Sequence, residues 1–298
     1  ENVEKEKGII CQEIKMYDDD PDWRVYFGAI ANLYHNHPVR IDIAGTCDTV
    51  NNTYKDMLEL CYHTFYHPHN MMLFVVGNIQ PEELVDVIKE NQNKKHFFPE
   101  TSIQRKKIEE PESVAVKEQI DIMQVEMNKL IVSIKINDIL TNPQEKIKRE
   151  LSFNLLFDLY FSKSSVLYNE WLSKGYINET FSANFTQERD YAFILIGGDQ
   201  DDYHLLQKTI FDFIEHIDDL VIEQEDFERI KRKTIGNFIN SYNSPESIAN
   251  SFSRYYFEGI CSFELVDYVS KITIADLNEV KKYFNKEYAS TYIVKKDK

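Results

Sequence analysis

The chain has 298 residues, with 34 Lys and Arg against 50 Asp and Glu, for a formal net charge of −16 with histidine neutral. That length supports a well-buried core and favours two domains over one. The acidic balance argues against a nucleic-acid partner, because phosphate recognition needs clustered cations. Basic or unfolded polypeptides are compatible with it.

Cys11, Cys47, Cys61 and Cys261 form no C-x-x-C pair. Reduced thiols in a cytoplasmic protein are therefore expected, rather than a disulfide framework or a zinc knuckle. No apolar run approaches the roughly 20 residues that a membrane helix needs, so no membrane association is expected, and no signal peptide is recognisable. The first residue is Glu1, inside a charged, helix-like stretch, and the true N-terminus is expected to lie upstream.

Residues 3–18 read as a helix, with Ile9, Ile10, Ile14 and Met16 among charged positions. Asp18-Asp19-Asp20-Pro21 punctuates it, and Pro21 suits the first turn of a second helix reaching Tyr34. A loop, His35-Asn36-His37-Pro38, leads to Ile43-Ala44-Gly45-Thr46. A helix is expected over 53–66, a buried strand over 71–76 and a helix over 81–91. From 93 to 114 apolar periodicity lapses into Lys, Glu, Pro and Ser, the pattern of a linker.

Beyond it, strands are expected over 130–136, 177–185 and 191–196, with Gly197-Gly198-Asp199 as a turn. Helices are expected over 144–160, 166–173, 203–217, 223–241, 247–259 and 274–284, and a last strand over 290–294. Phe97-Phe98 and Tyr255-Tyr256-Phe257 read as core. Strands followed by runs of helices predict an α+β layered fold. The weak likeness in layout between the halves predicts an internal repeat whose first copy is incomplete. The domains expected are residues 1–95, a linker at 96–114, and 115–298.

Glu6 and Glu13 are seven residues apart, two helical turns, and so share a face of the first helix. One could ligate a metal while the other orients ligands or water. On spacing alone, two solvated glutamates are the commoner meaning of such a pair. His63 and His67 have i, i+4 spacing without the glutamate of H-E-x-x-H, and Pro68 disfavours helix at His67. No metal is assigned to them or to the His35/His37 and His67/His69 pairs. Nucleophile-elbow, Walker and dinucleotide motifs are absent.

Four segments in order nonetheless resemble the insulinase (pitrilysin-type) zinc metallopeptidases, bacterial subunits among them. These are Glu4 to Asp22; His37-Pro38 with Ile43-Ala44-Gly45-Thr46; Phe65 to Ile79, which contains Val75-Val76-Gly77-Asn78; and Ser164 to Glu170 with Lys174-Gly175-Tyr176. The resemblance implies that Glu13 is a zinc ligand and Glu6 the accessory glutamate supporting the site. It also implies two repeated α/β-layered domains. The family's inverted H-x-x-E-H motif, with two histidine ligands and the general base, does not occur in this chain.

The chain is therefore expected to be a fragment of a zinc-dependent endopeptidase subunit acting on short or unfolded polypeptides. Zn2+ is expected in the intact parent, with no zinc, no catalytic residue and no activity in this chain alone. A homologous partner subunit or a homodimer would complete the assembly. The rival readings are a non-catalytic subunit that binds peptide or a partner chain, and a purely structural assembly protein.

Overall fold

The computed structural model describes residues 2–100 and 102–297. Its centre is a five-stranded sheet built from β1 (Glu118–Met123), β2 (Lys129–Ile136), β3 (Ser182–Gln187), β4 (Ala192–Asp199) and β5 (Ala289–Lys296). The spatial order is β1-β5-β2-β4-β3. Only β1 and β5 run parallel, with Ile120 opposite Ile293, and the other neighbours are antiparallel. The α+β class expected from the sequence is the one observed.

The central strands are apolar on both faces because both faces are covered. Leu130, Val132, Ile134 and Ile136 alternate onto one face and join Phe153, Leu155 and Leu156 of α6 (Pro143–Phe161), Leu206 and Ile210 of α8 (Tyr203–His216), and Ile194 and Ile196 of β4. Phe193, Leu195, Tyr292 and Val294 point to the opposite face, against Val25, Ala29, Ile30 and Leu33 of α2 (Pro21–Leu33). The Ser133 hydroxyl donates to the Ala29 carbonyl at 3.2 Å, satisfying a polar group between strand and helix.

Helix α2 starts where punctuation predicts. Asp20 Oδ1 accepts from the amides of Asp22 and Trp23, and Pro21 occupies the first turn. Gly28 lets the helix approach the sheet, since a Cβ there would lie 2.2 Å from the Tyr292 ring. Gly28→Ala should therefore lower stability by about 1–3 kcal/mol through overpacking, despite a helix-propensity gain of roughly 1 kcal/mol. Urea unfolding checks this, and an unchanged or raised midpoint would contradict it.

Several elements depart from expectation. Strand β1 and helix α11 (Leu265–Lys271) were not anticipated. The helix expected over 53–66 is present as α4 (Lys55–Phe65), and the short helix α3 (Cys47–Asn51) before it was not anticipated. Residues 177–181 precede β3 as a loop, because the Asn178 side chain accepts from the Thr180 amide and hydroxyl and turns the chain. Gly197-Gly198-Asp199 is no turn: it continues β4 opposite Ile131, Leu130 and Lys129. A Cβ at Gly197 would lie 2.0 Å from the Leu130 carbonyl oxygen, so glycine here serves close strand approach.

The largest correction concerns residues 71–76, expected as a buried strand. They are extended and alternate between exposed and half-buried, but none is buried and none pairs in a described sheet. A continuous apolar run is what a strand covered on both faces shows, and pairing needs a neighbouring strand. Among the described residues from 38 to 113, none is buried. Phe97 and Phe98, expected in the core, are 46 % and 53 % exposed, and of the 255–257 cluster only Tyr255 is buried.

Residues 96–114 contain no helix or strand among those described, yet their C-terminal end is fastened. Glu110 accepts from the amides of His35, Asn36 and His37 at 2.7–2.8 Å and from Lys135 Nζ at 2.9 Å. Burial opposes ionisation of Glu110, but the ammonium and the three amides outweigh it and hold its pKa at about 2.

Candidate functional site

Helix α1 (Asn2–Asp18) carries both glutamates of interest. Its buried residues are Lys7 and Ile14, each one position after a glutamate, so Glu6 and Glu13 flank the packed stripe and are exposed. Ile9, between them in sequence, is 49 % exposed. The helix thus offers carboxylates to its surroundings with little of its own surface covered.

Glu13 is oriented. Tyr17, one turn on, donates its hydroxyl to Glu13 Oε1 at 2.9 Å, and this bond with the neighbouring charge pushes the phenol up. The Tyr17 ring stacks on Trp23 of α2, with centroids 4.4 Å apart and planes 13° apart. Trp23 Nε1 donates to the Asp42 carboxylate, which also accepts from the Ala44 amide at 2.8 Å. The carboxylate is therefore braced through two stacked rings against the loop after α2. Beside it, Tyr17, Trp23, Phe27, Arg40, Asp42 and Tyr292 help line a cavity of about 300 Å3.

Glu13 and Tyr17 have the i, i+4 spacing of a helical pair, so that contact could have been found in the sequence. Asp42 could not, because only the fold brings the loop against Trp23.

The histidines are spread among other contacts. His37 is buried, accepts from the Val39 amide and lies 3.4 Å from Asp190. His63 packs on Phe98, and His69 lies 3.4 Å from Glu100. Among the described residues no group of three or more His, Cys, Asp or Glu is placed to hold a metal ion. A zinc site takes three or four protein ligands, and the neighbourhood of Glu13 assembles no such group among the described residues. These residues do not by themselves fit zinc. Among the described residues no helix is long and apolar enough to cross a membrane.

Residues 53–234 match the family described as the peptidase M16 inactive domain. The chain is 45 % identical over 278 residues to the uncharacterized zinc protease YmfH of Bacillus subtilis, covering 93 % of this chain and 65 % of that protein. This chain belongs to the M16 (pitrilysin) peptidase family. It is also 23 % identical over 298 residues to the zinc protease PqqE of Helicobacter pylori, covering 97 % of this chain and again 65 % of the relative. An M16-like peptidase from Alicyclobacillus acidocaldarius superposes with a TM-score of 0.94 at 31 % identity, covering 99 % of this M16 chain and 71 % of that one. The M16 chain thus spans about two-thirds of the length of these relatives.

Proposed function

We propose that this chain is the part of an M16 zinc endopeptidase subunit that carries the carboxylate ligand. Glu13 would be that ligand and Glu6 the accessory carboxylate. The imidazole ligands and the general base would come from an H-x-x-E-H segment outside these 298 residues. The observation that carries this is the bracing of an exposed Glu13 by Tyr17 and Trp23, on a helix whose sequence resembles the family's third-ligand segment. The likeness to relatives named as zinc proteases supports it.

The unpaired segment 71–76 supports a two-domain reading in which the first domain is incomplete here and the sheet domain is the second. Substrates are short or unfolded polypeptides, and a homologous subunit or second copy encloses them, in the cytoplasm. A second reading, a non-catalytic subunit that binds peptide or a partner chain, is favoured by the match of 53–234 to the inactive-domain family.

Zinc titration and peptidase assay of the isolated chain test the proposal. One carboxylate holds zinc weakly, so a dissociation constant above about 10 μM and no turnover are expected. Stoichiometric zinc retained by the isolated chain, or peptide cleavage by it, would overturn the reading.

A further inference from the structure

Helix α1 meets the rest of the chain largely through α3. Lys7 Nζ donates to the Asn51 carbonyl at 3.1 Å. One turn further on, Cys11 and Cys47 cross. Cys11 Sγ lies 3.9 Å from the Cys47 carbonyl oxygen, and Cys47 Sγ lies 3.5 Å from that of Cys11. Both residues are free cysteines and half-buried, so they are open to small reagents. These reciprocal sulfur–carbonyl contacts set the two cysteines side by side on separate elements, and close approach is the first condition for a disulfide.

We propose that Cys11 and Cys47 form a redox modification site. In the presence of a small-molecule disulfide it closes to an intrachain bond that fastens α1 to the start of α3. One cysteine sulfur attacks a sulfur of the reagent, forms a mixed disulfide and expels one thiolate. The second cysteine sulfur attacks the protein-side sulfur and expels the other thiolate. The protein loses two protons and two electrons, and the reagent is reduced to two thiols. The ring so closed spans a separation of 36 residues and contains Glu13, Tyr17, Trp23 and Asp42, so the bond restrains the frame that orients Glu13. Bond formation does not depend on Glu13 being a zinc ligand.

The test exposes the full chain to oxidised glutathione, followed by intact mass and peptide mapping without reductant. The expected product is lighter by about 2 Da and yields Cys11 and Cys47 in one cross-linked species, which dithiothreitol reverses. Hydrogen exchange of α1 amides is expected to slow by about tenfold or more in that product. Cys47→Ser is expected to hold glutathione on Cys11 and leave α1 exchange unchanged. Persistent glutathione on Cys11 or Cys47 in the unaltered chain would overturn the proposal. So would cross-links of either residue to Cys61 or Cys261, or two unreacted thiols. A bond that forms without slowing α1 exchange would overturn the fastening.

Discussion

Replacing Glu110 with glutamine is expected to cost about 3–5 kcal/mol at neutral pH, the range for removing one partner of a buried ion pair. Lys135 has a side chain only 2 % exposed, and Glu110 is its partner at 2.9 Å. The other contacts of that ammonium, to the carbonyls of Pro111 and Ser113 and over the Tyr34 ring, do not neutralise it. The same carboxylate receives three backbone amides from the turn after α2, so one substitution loosens both the linker end and that turn. The pH dependence follows in sign. The folded pKa of about 2 lies below the ordinary 4.5, so the contribution is complete above pH 4.5 and is lost as pH falls toward 2. Its size is about 3 kcal/mol, from roughly 1.4 kcal/mol per pH unit. Urea unfolding of both proteins at neutral pH and near pH 3 checks it: the gap should narrow in acid. An equal gap at both values would contradict the assignment.

Amides of α4 and of α5 (Pro81–Asn93) should exchange at least about a thousandfold faster than those of β2 and β4. Helices of 11 and 13 residues are marginal in water without tertiary packing, and neither contains a buried residue. Met57, Leu58, Leu60 and Tyr62 on α4, and Val85 and Val87 on α5, stand exposed, as do Met71, Leu73 and Val75. By contrast, Val132, Ile134, Ile194 and Ile196 are at most 1 % exposed. Exchange read by mass spectrometry on the isolated chain decides the matter. Comparable protection in α4 and β2 would show that 41–100 is stable as it stands.

The parts of the fold that could be read from the sequence are those whose cause is local. Punctuation ending in Pro21 placed α2, and apolar runs placed β2 and the core of β4. What could not be read depends on distant neighbours. Strand β1 exists because β5, about 170 positions later, offers a parallel edge, and its own residues alternate only weakly in burial. Gly197 and Gly198 looked like a turn because their crowding is tertiary: Gly197 meets β2 and Gly198 meets Thr180 and Phe181. Residues 71–76 carry every local mark of a strand and lack only the partner.

The candidate site divides in the same way. Glu6 and Glu13 were visible by spacing, and the role proposed for them came from resemblance. The Tyr17 brace follows from helix geometry, while the Trp23–Asp42 link is a product of tertiary packing.

The central claim is that Glu13 is a metal ligand whose partners lie outside these 298 residues. It is tested most directly by zinc content in a longer polypeptide that joins this chain to an H-x-x-E-H segment. With Glu13 intact, about one equivalent of zinc should co-purify through dialysis, and Glu13→Gln should remove it along with peptide cleavage. A Glu13→Gln protein that keeps its zinc and its turnover would contradict the claim.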